Sequence, residues 1–256
     1  MKLTVLVDNN SIIDKYYIAE PALSFCIEDE DKKVLFDVGY SDVYLKNAEA
    51  MNIDLTKIDT LILSHGHNDH TGGLKYIDCL KQDIEVIAHP GLDGYKEHEG
   101  LTISSPVKLD DLPKNFKINK TKESVKISKH LTYLGEIGRE KQNAKGLGND
   151  LLLDDSALVY EGKNGIFIIT ACSHSGIINI IEQAKRITNN KHITGIIGGF
   201  HMLNNPELNK EVCDYLAKED IEIVYPCHCT DLMAKIEISK VVKIKDIGVS
   251  FTMEVE

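Results

Sequence analysis

Ser64-His65-Gly66-His67-Asn68-Asp69-His70-Thr71-Gly72-Gly73 is the stretch that decides how this chain is read. Three imidazoles and a carboxylate fall within residues 65–70, directly after Thr60-Leu61-Ile62-Leu63, an apolar run of buried-strand type. In extended backbone His65 and His67 project to the same side. Asp69 and His70 fall where the chain turns toward a helix, so they face a second point nearby. One short segment can therefore serve two adjacent metal positions, and imidazole with carboxylate suits Zn, Fe or Mn. Glycines at 66, 72 and 73 let backbone come close to the ions. A solvated polar turn is the plain alternative, but such turns seldom set three histidines and an aspartate against Gly-Gly.

Working outward, three further histidines share one setting. His174 follows the strand-like run Ile166–Thr170, His201 follows Ile193–Ile197 and Gly198-Gly199, and His228 follows Ile221–Tyr225. In layered α/β folds the carboxyl ends of strands converge on one edge, where ligands bind. Each histidine taken alone reads as a cap or core residue; their common setting makes a site. His174 and His228 read as metal ligands. His201 is open between ligand, substrate contact and structural residue, and His89 reads as structural. Cys172, Cys227 and Cys229 flank these positions, but Cys227-His228-Cys229 lacks CxxC spacing. They read as small side chains packing the strand ends.

The remaining pattern is mixed. Ala22–Ile27 and Lys33–Val38 form an expected hairpin, with Ser41 capping a helix to about Met51. Gly72–Lys81 reads as a helix, and Glu85–Ala88 as a strand. A second hairpin, Ala157–Tyr160 with Ile166–Thr170, precedes a helix carrying Ile177, Ile180, Ile181, Ala184 and Ile187 at helical spacing. A hairpin-then-helix unit thus occurs twice, which indicates α/β layers in two similar halves. Between 90 and 150 apolar residues thin out. That stretch reads as a cap or lid segment within a single domain spanning 1–256, with short strands near Val125 and Leu131.

The 256 residues, 43% apolar and 27% charged, exclude wholesale disorder. Lys plus Arg is 29 and Asp plus Glu is 40, a balance of −11 that argues against nucleic acid as a partner. Six cysteines without framework spacing fit a reducing compartment. The expectation is a cytoplasmic protein with no signal peptide and no membrane span.

The pattern His65-Gly-His67-Asn-Asp69-His70, with later histidines at strand ends, resembles the HxHxDH signature of the metallo-β-lactamase fold superfamily. Leu6-Val7-Asp8-Asn9-Asn10, Leu35-Phe36-Asp37-Val38-Gly39, Gly135-Glu136-Ile137-Gly138-Arg139, Asp154-Asp155-Ser156-Ala157-Leu158, Cys172-Ser173-His174-Ser175-Gly176, Gly198-Gly199-Phe200-His201 and His228-Cys229-Thr230 look like one subfamily within it. That subfamily includes the archaeal dihydropterin–ribofuranosylaminobenzene 5′-phosphate synthase. The resemblance implies a four-layer αββα sandwich of two similar halves and two divalent metal ions, with Zn the default and Mg, Mn or Fe the alternatives. The chain departs from the subfamily at Gly138, where Pro is usual, and at Ala171 and Asp231, where Gly is usual. It departs from the superfamily in that Thr170-Ala171-Cys172-Ser173-His174 stands where the bridging aspartate is usual.

Three functions are then expected candidates. A metal-dependent hydrolase would hold one ion on His65, His67 and His174 and another on Asp69, His70 and His228. It would act through metal-bound hydroxide on a small phosphorylated substrate. Asp69, His201 and Arg139 would be the catalytic set, with Arg139 open between clamping a phosphate or carboxylate and being a plain exposed charge. A transferase resembling the synthase would use the same ligands to assist displacement of diphosphate. A non-catalytic metal-binding module would need blocked coordination positions, for which the cluster gives no sign.

Overall fold

The computed structural model describes residues 1–80, 82–144, 146 and 150–256. The first half runs β1 (Lys2–Val7), β2 (Ser24–Asp29), β3 (Lys32–Phe36), α1 (Val43–Ala50), β4 (Thr60–Leu63), α2 (Asn68–Thr71) and β5 (Ile84–Ala88). A small hairpin, β6 (Glu97–His98) and β7 (Leu101–Thr102), precedes β8 (Phe116–Lys120), β9 (Val125–Lys126) and β10 (Leu131–Tyr133). The second half runs β11 (Ala157–Glu161), β12 (Ile166–Thr170), α3 (Ile177–Thr188), β13 (Ile193–Gly198), α4 (Pro206–Leu216), β14 (Val224–Pro226), α5 (Leu232–Ser239) and β15 (Thr252–Glu254).

Two sheets form. One has the order β15-β1-β2-β3-β4-β5-β8 and the other β14-β13-β12-β11-β10-β9. Their central strands are buried on both faces, and alternate residues enter different cores. Phe25, Ile27, Val34, Phe36 and Ile62 face Leu131, Leu158, Phe167, Ile169 and Ile197 between the sheets. Cys26, Leu35, Leu61 and Leu63 point the other way, toward Tyr44, Ala48, Leu74 and Ile77. Val159, Ile168 and Ile196 pack against Ile177, Ile180, Ile181 and Val212 of α3 and α4. Three cores between four layers give the αββα sandwich. In each half a hairpin leads through a helix into parallel strands: β3, β4 and β5 in one, β12, β13 and β14 in the other.

Several elements differ from the sequence reading. Gly72–Lys81 is not an α-helix. After the single turn of α2 the chain continues as a 3₁₀ segment, Gly72–Cys79, and Lys81 lies outside the described residues. The cause is close packing: a Cβ on Gly72 would stand 2.2 Å from the Tyr40 carbonyl oxygen, so the segment lies hard against that backbone. The strand expected over Ile221–Tyr225 is regular only at Val224–Pro226, with Ile221 making a separate bridge to Ile193. β8 and α5 carry too little periodicity to be read beforehand. Within 90–150, β8 extends one sheet edge and β9 and β10 the other; residues 145 and 147–149 lie outside the described residues. No helix among the described residues is long and apolar enough to cross a membrane.

Candidate metal centre

The loops beyond the carboxyl ends of β3, β4, β12, β13 and β14 meet at one edge of the sandwich. Four residues near these ends, Asp37, Ser173, His201 and His228, have φ between 48° and 59°. Left-handed backbone is uncommon for side chains of this kind, and here it turns the chain sharply at the strand ends.

Two donor groups result. The ligand atoms of His65, His67 and His174 lie within 4.8 Å of one another, and so do those of Asp69, His70, Cys172 and His228. The groups adjoin: the rings of His65 and His70 are 4.3 Å apart by centroid. Asp69 Oδ2 is 3.5 Å from His70 Nε2 and 3.3 Å from His228 Nε2. Cys172 Sγ is 3.2 Å from His70 Nε2 and 3.1 Å from His228 Nε2. The six residues read from the sequence as ligands are thus brought together, and Cys172 joins them. Its sulfur lies against the two imidazoles of the second group, where sequence reading assigned only a packing role. The signal was present in the sequence as the sulfur-bearing residue standing where the usual aspartate is absent.

The donors fit divalent ions. His65 Nε2, His67 Nε2 and both ring nitrogens of His174 are buried with no hydrogen-bond partner among the described residues. Buried polar atoms are ordinarily paired, so a convergent set of orphans calls for a ligand. Burial and neighbouring imidazoles hold His65 and His174 well below the usual histidine range, and burial brings His67 down to about 4. Neutral imidazole is the form that binds metal. Burial also acts on His70, but the carboxylates of Asp69 and Asp37 outweigh it and carry His70 up to about 9. Asp69 is lowered against its own burial by His70 and His228.

Outer contacts set the ring orientations. Asp37 Oδ2 pairs with His70 Nδ1 at 2.7 Å and accepts from Ser64 Oγ at 2.7 Å, while Oδ1 accepts from the Ser64 N–H. Ser64 Oγ is also 2.9 Å from His65 Nδ1. On the opposite wall, Asp8 accepts from the His228 N–H and Asn9 Oδ1 faces His228 Nδ1 at 2.9 Å. Such partners fix which nitrogen of each ring is free to ligate. None of Asp8, Asn9, Asp37 or Ser64 is singled out as a site residue by sequence reading.

His201 lies beside this centre, its ring 4.2 Å from that of His174. It lines a cleft of about 460 Å³ with Gln142, Asn205, Glu207 and Glu211. It also forms a third donor group with Cys172 and Cys229. Burial lowers His201, but Cys229, Asp155 and Asp69 raise it overall. Arg139 is turned toward its own chain's backbone. Its Nη1 donates to the Ala144 carbonyl at 3.0 Å and its Nη2 to the Leu152 carbonyl at 2.7 Å. The loop folds back on the guanidinium, two of whose nitrogens serve the chain's own backbone, while its Nε is buried with no partner among the described residues.

Comparison with known proteins agrees with this geometry. Residues 18–228 match the family described as "Metallo-beta-lactamase superfamily". An uncharacterized protein of Methanocaldococcus jannaschii is 32% identical, covering 93% of this chain and 94% of its own length. The 7,8-dihydropterin-6-methyl-4-(β-D-ribofuranosyl)-aminobenzene-5′-phosphate synthase of the same organism is 27% identical, covering 92% and 89%. A crystal structure described as a metal-dependent hydrolase of the β-lactamase superfamily superposes with a TM-score of 0.86 at 28% identity, covering 100% of this chain and 99% of that one. Human tRNase Z, short form, shares the fold at 12% identity and a TM-score of 0.53, covering 100% of both chains. The fold itself therefore does not exclude nucleic acid, and the exclusion read from net charge is not supported.

Proposed function

Because this chain belongs to the metallo-β-lactamase superfamily, we propose that it is a metal-dependent hydrolase acting on a small phosphorylated substrate. The observation that carries the reading is the pair of adjoining donor groups, buried and rich in unpartnered imidazole. On this reading His65, His67 and His174 hold one divalent ion, and Asp69, His70, Cys172 and His228 hold a second. Zinc suits the imidazole and thiolate donors best, with Mg, Mn or Fe as alternatives. When bound, such ions polarise a phosphoryl oxygen and bring the pKa of a coordinated water to about 7.

The protein's own groups position the reactants. Asp69, with its side chain 29% exposed at the mouth, orients the nucleophile and takes its proton. His201 faces the cleft with a buried Nδ1 that has no partner among the described residues, and it contacts the leaving group. We read residues 1–256 as one domain in which 90–150 covers the site, a role supported by Gln142 and Ala144 in the cleft wall. Six free cysteines support a cytoplasmic location.

The 27% identity to the synthase supports a second reading, a transferase displacing diphosphate with the same donors. Metal analysis of protein purified without added ions, followed by a screen of phosphate esters, diphosphates and a structured RNA, tests both. Release of pyrophosphate with no water-derived product would eliminate plain hydrolysis. His67→Ala and His228→Ala should each abolish turnover while the fold persists, and activity retained in either removes that residue from the site.

A further inference from the structure

The loop carrying His65 and His67 is held from behind by charges that neither metal group uses. Lys96 is 3% exposed and its Nζ lies 3.0 Å from Asp154 Oδ1 and 3.0 Å from Asp150 Oδ2. Asp154, 2% exposed, accepts the Gly66 N–H on its other oxygen at 2.8 Å. Gly66 is the residue between the two histidines. A Cβ built on it would stand 2.8 Å from Lys96 Cε and 2.0 Å from the Leu92 carbonyl oxygen. The lysine stem thus lies against the same backbone that its ammonium grips through Asp154. On the far side of His67, the Asn68 N–H donates to the Ile103 carbonyl at 2.8 Å, and Lys96 reaches the same strip through its own N–H to Ser104 Oγ at 2.7 Å.

A buried ion pair contributes little net stability against a well-packed apolar pair of the same volume, so stability alone is a weak account of this one. Its geometry supplies an account. Asp154 has one oxygen for Gly66 and one for Lys96, and without the ammonium nothing among its described partners fixes the carboxylate's rotation. With two carboxylates against one ammonium, the triad also leaves net negative charge behind the three imidazoles, which favours a cation among them.

We propose that Lys96 and Asp154 are positioning residues for the His65–His67–His174 group: Lys96 orients Asp154, and Asp154 fixes Gly66 so that the two flanking imidazoles converge. This rests on the metal reading above, and the experiment separates the two. Full-length wild type and Lys96→Met, both stripped of metal, are titrated with Co(II) while total cobalt bound and the thiolate-to-cobalt absorption are followed. The His65–His67–His174 group contains no thiol, so that band reports the thiol-bearing groups around Cys172 and never the first group. Backbone amide exchange over residues 64–68 is measured on the same samples.

Wild type should bind two ions. Lys96→Met should lose about 10- to 100-fold in affinity at the thiol-free group, keep the thiolate band, and show faster exchange at Gly66. Equal weakening of both groups, or unchanged loading with unchanged exchange, would overturn the proposal. If Lys96→Met does not fold, Asp154→Asn keeps an acceptor for Gly66 but loses its charged grip on Lys96. A folded Asp154→Asn that loads the thiol-free group like wild type overturns it equally. Failure of wild type to bind cobalt at all would instead remove the metal reading, and this proposal with it.

Discussion

Asp37 and His70 form a fully buried pair, Oδ2 to Nδ1 at 2.7 Å, with each side chain 0% exposed. The same carboxylate holds Ser64, which in turn meets His65, so one residue from the end of β3 steadies a ring in each donor group. A carboxylate at Nδ1 leaves Nε2 as the free, ligating nitrogen of His70. Asp37→Asn should keep the fold, because asparagine tolerates the φ of 59° found there. It would offer an N–H where His70 needs an acceptor and so favour the tautomer that cannot ligate. Metal affinity of the second group should fall about 10- to 100-fold. A zinc competition titration checks this, and wild-type affinity would refute it.

Cys172 supplies the only sulfur of the second donor group. Cys172→Ala should therefore reduce the metal retained through gel filtration from two ions per chain toward one. The three histidines of the first group should keep theirs. Elemental analysis of the eluted protein reads the outcome, and two ions retained by the variant would return Cys172 to a packing role.

Arg139 binds two of the chain's own carbonyls through Nη1 and Nη2. Arg139→Met should lower stability by about 2 kcal/mol through two lost charge-assisted hydrogen bonds. Its KM for a phosphate ester should stay within about twofold of wild type, since the guanidinium's described hydrogen bonds go to backbone carbonyls. A large rise in KM with unchanged melting temperature would restore the phosphate-clamp role expected from the sequence.

Asp155 is buried with Oδ1 unpartnered among the described residues, while Oδ2 accepts from the N–H and hydroxyl of Ser175. Burial raises its pKa from 3.8 to about 6. A carboxyl raised on folding favours the folded state below its unfolded pKa, and that advantage is lost as pH rises through 6. In metal-free protein Asp155→Asn should therefore be more stable than wild type by about 3 kcal/mol at pH 7, the gap closing toward pH 4. Urea unfolding across that range tests it, and a gap independent of pH would contradict the assignment.

Much of this centre was legible before any coordinates. The spacing of His65, His67, Asp69 and His70 is local, and the position of His174, His201 and His228 after apolar strands is a local pattern repeated. Two-sided burial made β4, β12 and β13 continuous apolar runs, which periodicity reads well. The 3₁₀ segment after α2 escaped because close contact with Tyr40 overrides a helical pattern.

The sequence by itself determined the chemistry of the donors and the strands that deliver them, since both are set by neighbours along the chain. Only the tertiary structure decided that Cys172 stands between His70 and His228, that Asp37, Asp8 and Asn9 orient the rings, and that Lys96 and Asp154 lie behind Gly66. It also decided that the Arg139 fork closes on its own loop. These are contacts of single polar atoms, most of them between residues far apart in the chain. A hydrogen bond of this kind leaves no period and no composition bias behind, so nothing in the linear order announces it.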